Sequence, residues 1–161
     1  MKKHWSWGLA VLLAAGTASA QQGEELNPST SAAKHVAMIN ANLESAKDQT
    51  EMLSELSKND AIWDEAHGRE FVKNLQTNIN GAEAHIQHLQ PLARSSEERR
   101  HFEQLQMRTS EAKSQSQAIM GQIGQRDRLH ASANKLEREL DRSLDPLEKL
   151  SEEMNVPIDV D

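Results

Sequence analysis

The sequence predicts an all-α chain, an antiparallel up-down four-helix bundle with heptad-patterned seams. Three observations carry this expectation. Apolar residues recur at a spacing of three and four along four successive stretches, as they do in a helix with one buried stripe. Strand signals are nearly absent, with no Tyr, little Val and no alternating run. Each stretch is close to thirty residues long, and short turn-forming groups separate one from the next, the pattern of a bundle with short connections.

The first twenty residues, MKKHWSWGLAVLLAAGTASA, read as a signal peptide. Lys2 and Lys3 give the positive start, Trp5 to Gly16 the short apolar run, and Ala18-Ser19-Ala20 an A-x-A cleavage site. The run is too short to span a bilayer, and no second apolar stretch follows it. The product expected is a periplasmic or secreted chain beginning at Gln21, with no stable membrane insertion after cleavage. Residues 21–29 have no periodicity and are expected to be flexible, 30–154 to form the bundle, and 155–161 to be a loose tail.

Within 30–154 the first stripe is Val36, Ile39, Leu43, Ala46, Thr50 and Leu53. The second is Val72, Leu75, Ile79, Ala82, Ile86 and Leu89. The third is Phe102, Leu105, Thr109, Ala112, Ser116, Ile119 and Ile123. The fourth is Leu129, Ala133, Leu136, Leu140, Leu147, Leu150 and Met154. Asn59-Asp60 are placed to cap the second helix, with Asp64 and Glu65 where the helix dipole favours acids. Pro91 stops that helix, and Ser95-x-x-Glu98 forms a capping box for the third. Gly121 and Gly124 loosen the chain before the fourth. Asp145-Pro146 falls inside the fourth stripe, where a kink or a restart is expected, Asp145 as cap and Pro146 as first residue.

Composition excludes several classes of function. With no cysteine there can be no disulfide, thiolate metal site, attached c-type haem or thiol nucleophile. The formal charge is −7, and −9 once Lys2 and Lys3 leave with the leader. A nucleic-acid partner needs clustered positive charge to displace counterions, so none is expected. Carboxylates sit in mixed-sign runs such as SSEERRHFEQ, which read as solvated helix faces. No serine has a glycine elbow or a placed base, so no enzyme is expected.

The candidate chemistry lies in HIQH, residues 85–88. Folding the chain back at about residues 60, 93 and 124 brings His35, His85, His88 and His101 to one end of the bundle. It brings His67 and His130 near the other end. It also lines up Thr50, Gly68, Ser116 and Ala133 as a layer of small side chains. In one hand of the bundle His35 faces His85, Asn42 faces Asn78, Arg108 faces Glu139, and Lys47 comes near Glu137. In the other hand His85 faces His101, and Lys113 faces Glu137. The first hand, preferred for its two charge pairs, gathers His35, Met38, His85 and His88. Three imidazoles suit Cu, Zn or Ni, and a thioether shifts the preference towards copper.

Against this stands the plainer account, that flanking histidines on a helix are ordinary solvated residues with no carboxylate behind them. A di-iron centre needs two Glu-x-x-His motifs at one level. The chain has one, Glu98 to His101, and its glutamate is already used in the capping box. No inward axial pair for a b-type haem is found. Trp63 and Ile62 lie on outer positions and mark a candidate partner surface, with Met52 and Met107 also outward. The leading expectation is therefore a non-enzymatic exported bundle acting through its surface as a binding or structural module. Its partner is a protein or a second copy, and no cofactor is required. The alternative is a periplasmic protein binding Cu, Zn or Ni through the histidine cluster.

Overall fold

The computed structural model of the chain describes residues 28–59 and 61–158. The signal peptide and most of the segment 21–29 lie outside the described residues. Four α-helices pack together: α1 (Pro28–Lys58), α2 (Glu65–Leu89), α3 (Ser96–Met120) and α4 (Arg126–Met154). A 3-10 turn at Gln90–Leu92, holding Pro91, follows α2 directly. Among the described residues there is no strand. None of their helices is long and apolar enough to cross a membrane.

Every residue of the four apolar stripes is buried except Met154, which is half-buried. Val36, Ile39, Leu43, Leu75, Ile79, Leu105, Leu136 and Leu140 are fully shielded from solvent and belong to one contiguous core. Removing such side chains from water is the main force holding helices of mixed composition together. Each helix packs against two neighbours, α1 on α2 and α4, α3 on α2 and α4.

Local chemistry explains the boundaries. Ser95 accepts from the Glu98 backbone N–H at 2.9 Å, and Glu98 Oε2 accepts from the Ser95 N–H at 3.0 Å, so the capping box is formed. The cap of α2 differs from the expectation. Asp64, not the Asn59-Asp60 pair, is the N-cap, accepting from Ala66 N–H at 2.9 Å. Asn59 instead turns the chain, its Oδ1 accepting from Ala61 N–H at 3.0 Å and its carbonyl from Trp63 N–H. An Asx turn and an N-cap use the same short acceptor side chain, and here the turn takes it.

Of the two outcomes expected at Pro146, the restart with Asp145 as cap is not seen, because α4 runs through it as one helix. A proline in mid-helix removes one backbone hydrogen bond. Here Leu140, Leu147 and Leu150 are fully buried on either side of it, and that packing holds the helix together across the gap. At the far end α4 closes on Asn155 in the left-handed conformation (φ 52°, ψ 49°), which asparagine tolerates better than most residues. Of the expected loose tail 155–161, the part through Ile158 stays on the protein, and 159–161 lie outside the described residues. Val156 is buried, Ile158 packs on the core, and Ser151 Oγ donates to Val156 O at 2.6 Å.

Candidate metal centre

The seam between α1 and α2 is where imidazoles meet. His35 is one residue before the buried Val36, and His85 one residue before the buried Ile86. Each therefore flanks its helix's buried stripe and leans over the same groove. Their Nδ1 atoms lie 3.0 Å apart, with ring centroids at 5.3 Å and planes inclined by 46°. His88, one turn beyond His85 on α2, stacks on His35, with centroids at 5.3 Å and planes at 21°. His35 and His85 are half-buried and His88 is exposed.

Electrostatics favours the neutral rings. Burial lowers the His35 pKa first, and the charges of His85, His88 and Lys34 lower it further. His85 is lowered by burial, then by His88 and Lys34. A neutral imidazole is the form that ligates a metal. Two neutral rings meeting Nδ1 to Nδ1 can share one proton as a hydrogen bond, or both can turn lone pairs to a common ion.

Polar contacts continue down the seam. Asn42 Nδ2 donates to Met38 O at 2.7 Å, and Asn78 Nδ2 donates to Ser45 Oγ at 2.8 Å. Elsewhere Arg108 meets Glu139 at 3.4 Å and Lys47 meets Asp141 at 2.6 Å. Lys113 pairs with Glu83 across α2 and α3 rather than with Glu137. The His35–His85 and Arg108–Glu139 contacts are those of the hand preferred from the sequence.

The other candidate residues fall as follows. Met38 is 42% exposed on α1, a turn from His35. His101 is buried, its Nδ1 without a hydrogen-bond partner, and His85 turns to His35 instead. Among the described residues no group of three or more His, Cys, Asp or Glu side chains stands ready to hold a metal ion. Two donors converge, and the third ring stacks beside them. Ile62 is 58% exposed, while Trp63 is half-buried and packs on the core.

One polar cluster escaped the sequence reading. Ser54 on α1 donates to Asn134 Oδ1 at 2.7 Å and meets His130 Nδ1 at 2.9 Å, while Asn134 Nδ2 meets His130 Nε2 at 3.1 Å. The three side chains close a ring in which each donates once and accepts once. With the Ser54 proton on Asn134, the His130 Nδ1 proton points at Ser54. The imidazole is then no base for that hydroxyl, and the cluster joins α1 to α4 instead of making a nucleophile. Its sequence signal was the i, i+4 pair His130 and Asn134, flanking a buried stripe.

No protein-family model, curated protein or solved structure shows a significant match to this chain.

Proposed function

We propose that the chain is an exported, non-enzymatic, antiparallel up-down bundle with heptad seams that binds a transition metal ion, Cu, Zn or Ni, at the α1–α2 seam. The observation that carries this reading is the 3.0 Å approach of His35 Nδ1 to His85 Nδ1. Ligands about 2.0–2.1 Å from an ion stand about 3.3–3.4 Å apart at tetrahedral angles and about 2.9 Å apart at a right angle. The pair lies within that span. A linear two-ligand ion would need about 4 Å, so the spacing favours a divalent ion with adjacent imidazoles.

His35 and His85 are the first two ligands, and His88 is the third once its ring leaves the stack on His35. An exposed side chain one turn away makes that change by rotating about its own bonds. Met38 is the thioether within reach along α1 when the ion is copper. The remaining positions are open to water or to an acceptor molecule, which suits a site that takes up and releases its ion. The periplasmic or secreted location rests on the leader.

The test is a thermal melt of the purified protein with and without Cu(II), Zn(II) or Ni(II), beside the His35→Ala/His85→Ala double variant. An ion at a hundred times its Kd stabilises the state that binds it by about 2.7 kcal/mol, a shift of several degrees. The wild type is expected to shift and the variant not to. Equal behaviour of the two proteins, shifted or unshifted, overturns the reading.

A second reading is a surface-binding or structural module whose partner is a protein or a second copy. Ile62, Met52 and Met107 support it, each about half exposed. It predicts association that depends on concentration and not on metal, measured by sedimentation.

A further inference from the structure

Gly81 lies four residues before His85 on α2, and what faces it is the side-chain amide of Asn42 on α1. A Cβ placed at Gly81 would stand 2.8 Å from Asn42 Oδ1, 3.1 Å from Cγ and 3.2 Å from Nδ2. Ordinary contact begins at about 3.4 Å, so the amide already occupies the space a methyl group would need. The amide holds this place through one exposed hydrogen bond, its Nδ2 donating to Met38 O at 2.7 Å, and a side chain at Gly81 would have to break that bond to enter. That bond draws the side chain back along α1, towards the level of His35. One step further down the seam, Asn78 bonds Ser45 and holds the same two helices.

We infer that Gly81 and Asn42 form a clamp that sets the α1–α2 separation and so holds His35 and His85 at the spacing a metal ion needs. This rests on the metal-binding reading above. Gly81 and Asn42 are positioning residues and touch no ion themselves. The glycine is otherwise unexplained. It lies in the interior of a helix, where glycine is disfavoured against alanine, and its backbone conformation is not one that demands glycine. Propensity alone therefore makes Gly81→Ala a stabilising change. The clamp makes it one in which methyl and amide compete for the same space, so that the amide or α1 must give way, and close packing carries the change to His85 one turn along α2 and His35 two turns along α1.

The experiment compares wild type, Gly81→Ala, Asn42→Ala and the double variant Gly81→Ala/Asn42→Ala, each checked for helicity by circular dichroism. Two quantities are measured: Cu(II) affinity by competition, and titration of His35 and His85 by NMR without metal. Gly81→Ala is expected to lose about tenfold or more in affinity, the size of loss seen when the support behind a ligand is removed. It is also expected to let both histidines titrate closer to the ordinary range. The double variant, with room for the new methyl, is expected to recover most of both.

Unchanged affinity and titration in Gly81→Ala overturn the clamp, and so does a double variant no better than the single one. If Gly81→Ala does not fold, the double variant decides: one that folds and binds supports the clamp, and one that also fails to fold overturns it. Should wild type bind no Cu(II), the metal reading fails and urea midpoints judge the clamp: a double variant more stable than Gly81→Ala supports it, and one no more stable overturns it.

Discussion

Ser54 Oγ on α1 and His130 Nδ1 on α4 lie 2.9 Å apart, and the same hydroxyl reaches Asn134 Oδ1 at 2.7 Å. Ser54 is 3% exposed while His130 and Asn134 are half-buried, so its removal breaks two bonds whose far ends water partly reaches. Ser54→Ala is expected to cost about 0.5–1.5 kcal/mol, the usual net worth of such a hydrogen bond. Urea denaturation measures it, and a midpoint within error of wild type means that the three side chains are solvated.

The histidine pair makes stability depend on pH with a definite sign. His35 and His85 are held below the ordinary histidine value, both first by burial, then His35 by the charges of His85, His88 and Lys34 and His85 by those of His88 and Lys34. The unfolded chain keeps the ordinary value of about 6.5 and so binds more protons than the folded one just below that pH. The stabilisation is complete above that value. It falls as the pH drops through it, and levels off once the folded pair is protonated too. Chemical denaturation at a series of pH values should show this slope, reduced in the His35→Gln/His85→Gln variant. Parallel curves for the two proteins rule the pair out as its source.

Trp63 and Gly68 give a third prediction. A Cβ at Gly68 would stand 2.6 Å from Trp63 Cη2, so the indole lies directly on the glycine. Gly68→Ala must displace the ring and is expected to destabilise by about 1–3 kcal/mol, as overfilled sites do. The emission of Trp63, isolated by subtracting a Trp63→Phe control, should move to longer wavelength. Emission unchanged from wild type would show that the ring does not rest there.

Thr109 offers a change in the opposite direction. It is 1% exposed and its Oγ1 has no hydrogen-bond partner. Thr109→Val keeps the shape and removes the stranded hydroxyl, so it should raise stability by up to about 1 kcal/mol. A melting temperature higher by a few degrees is the expected result. A lower one would mean that the hydroxyl has a partner in solution.

Much of the fold was legible because helix burial follows a period. The spacing of Val36, Ile39, Leu43 and their counterparts named the core on all four helices, and Ser95-x-x-Glu98 named a cap by its own chemistry. Asp64 was harder to read, since Asn59, Asp60 and Asp64 are all competent caps, and the geometry of the turn decides among them. The restart expected at Pro146 does not occur because its local cost is outweighed by leucines that only packing brings together. The His35–His85 contact was legible up to the hand of the bundle, which nearest-neighbour spacing does not encode. The Asn42–Gly81 contact was not legible at all. A glycine in a helix carries no sign of what lies opposite it.

The turn joining α1 to α2 lies about 25 residues from the histidine pair, a lever of about 37 Å at the rise of an α-helix. One degree of hinging at that turn moves the tips by about 0.6 Å, whereas a coordination shell tolerates about 0.2 Å. An isolated pair of helices would swing through that margin continually. What α3 and α4 contribute is stiffness: packed along the full length of the lever, they turn two compliant arms into a caliper with a fixed gap.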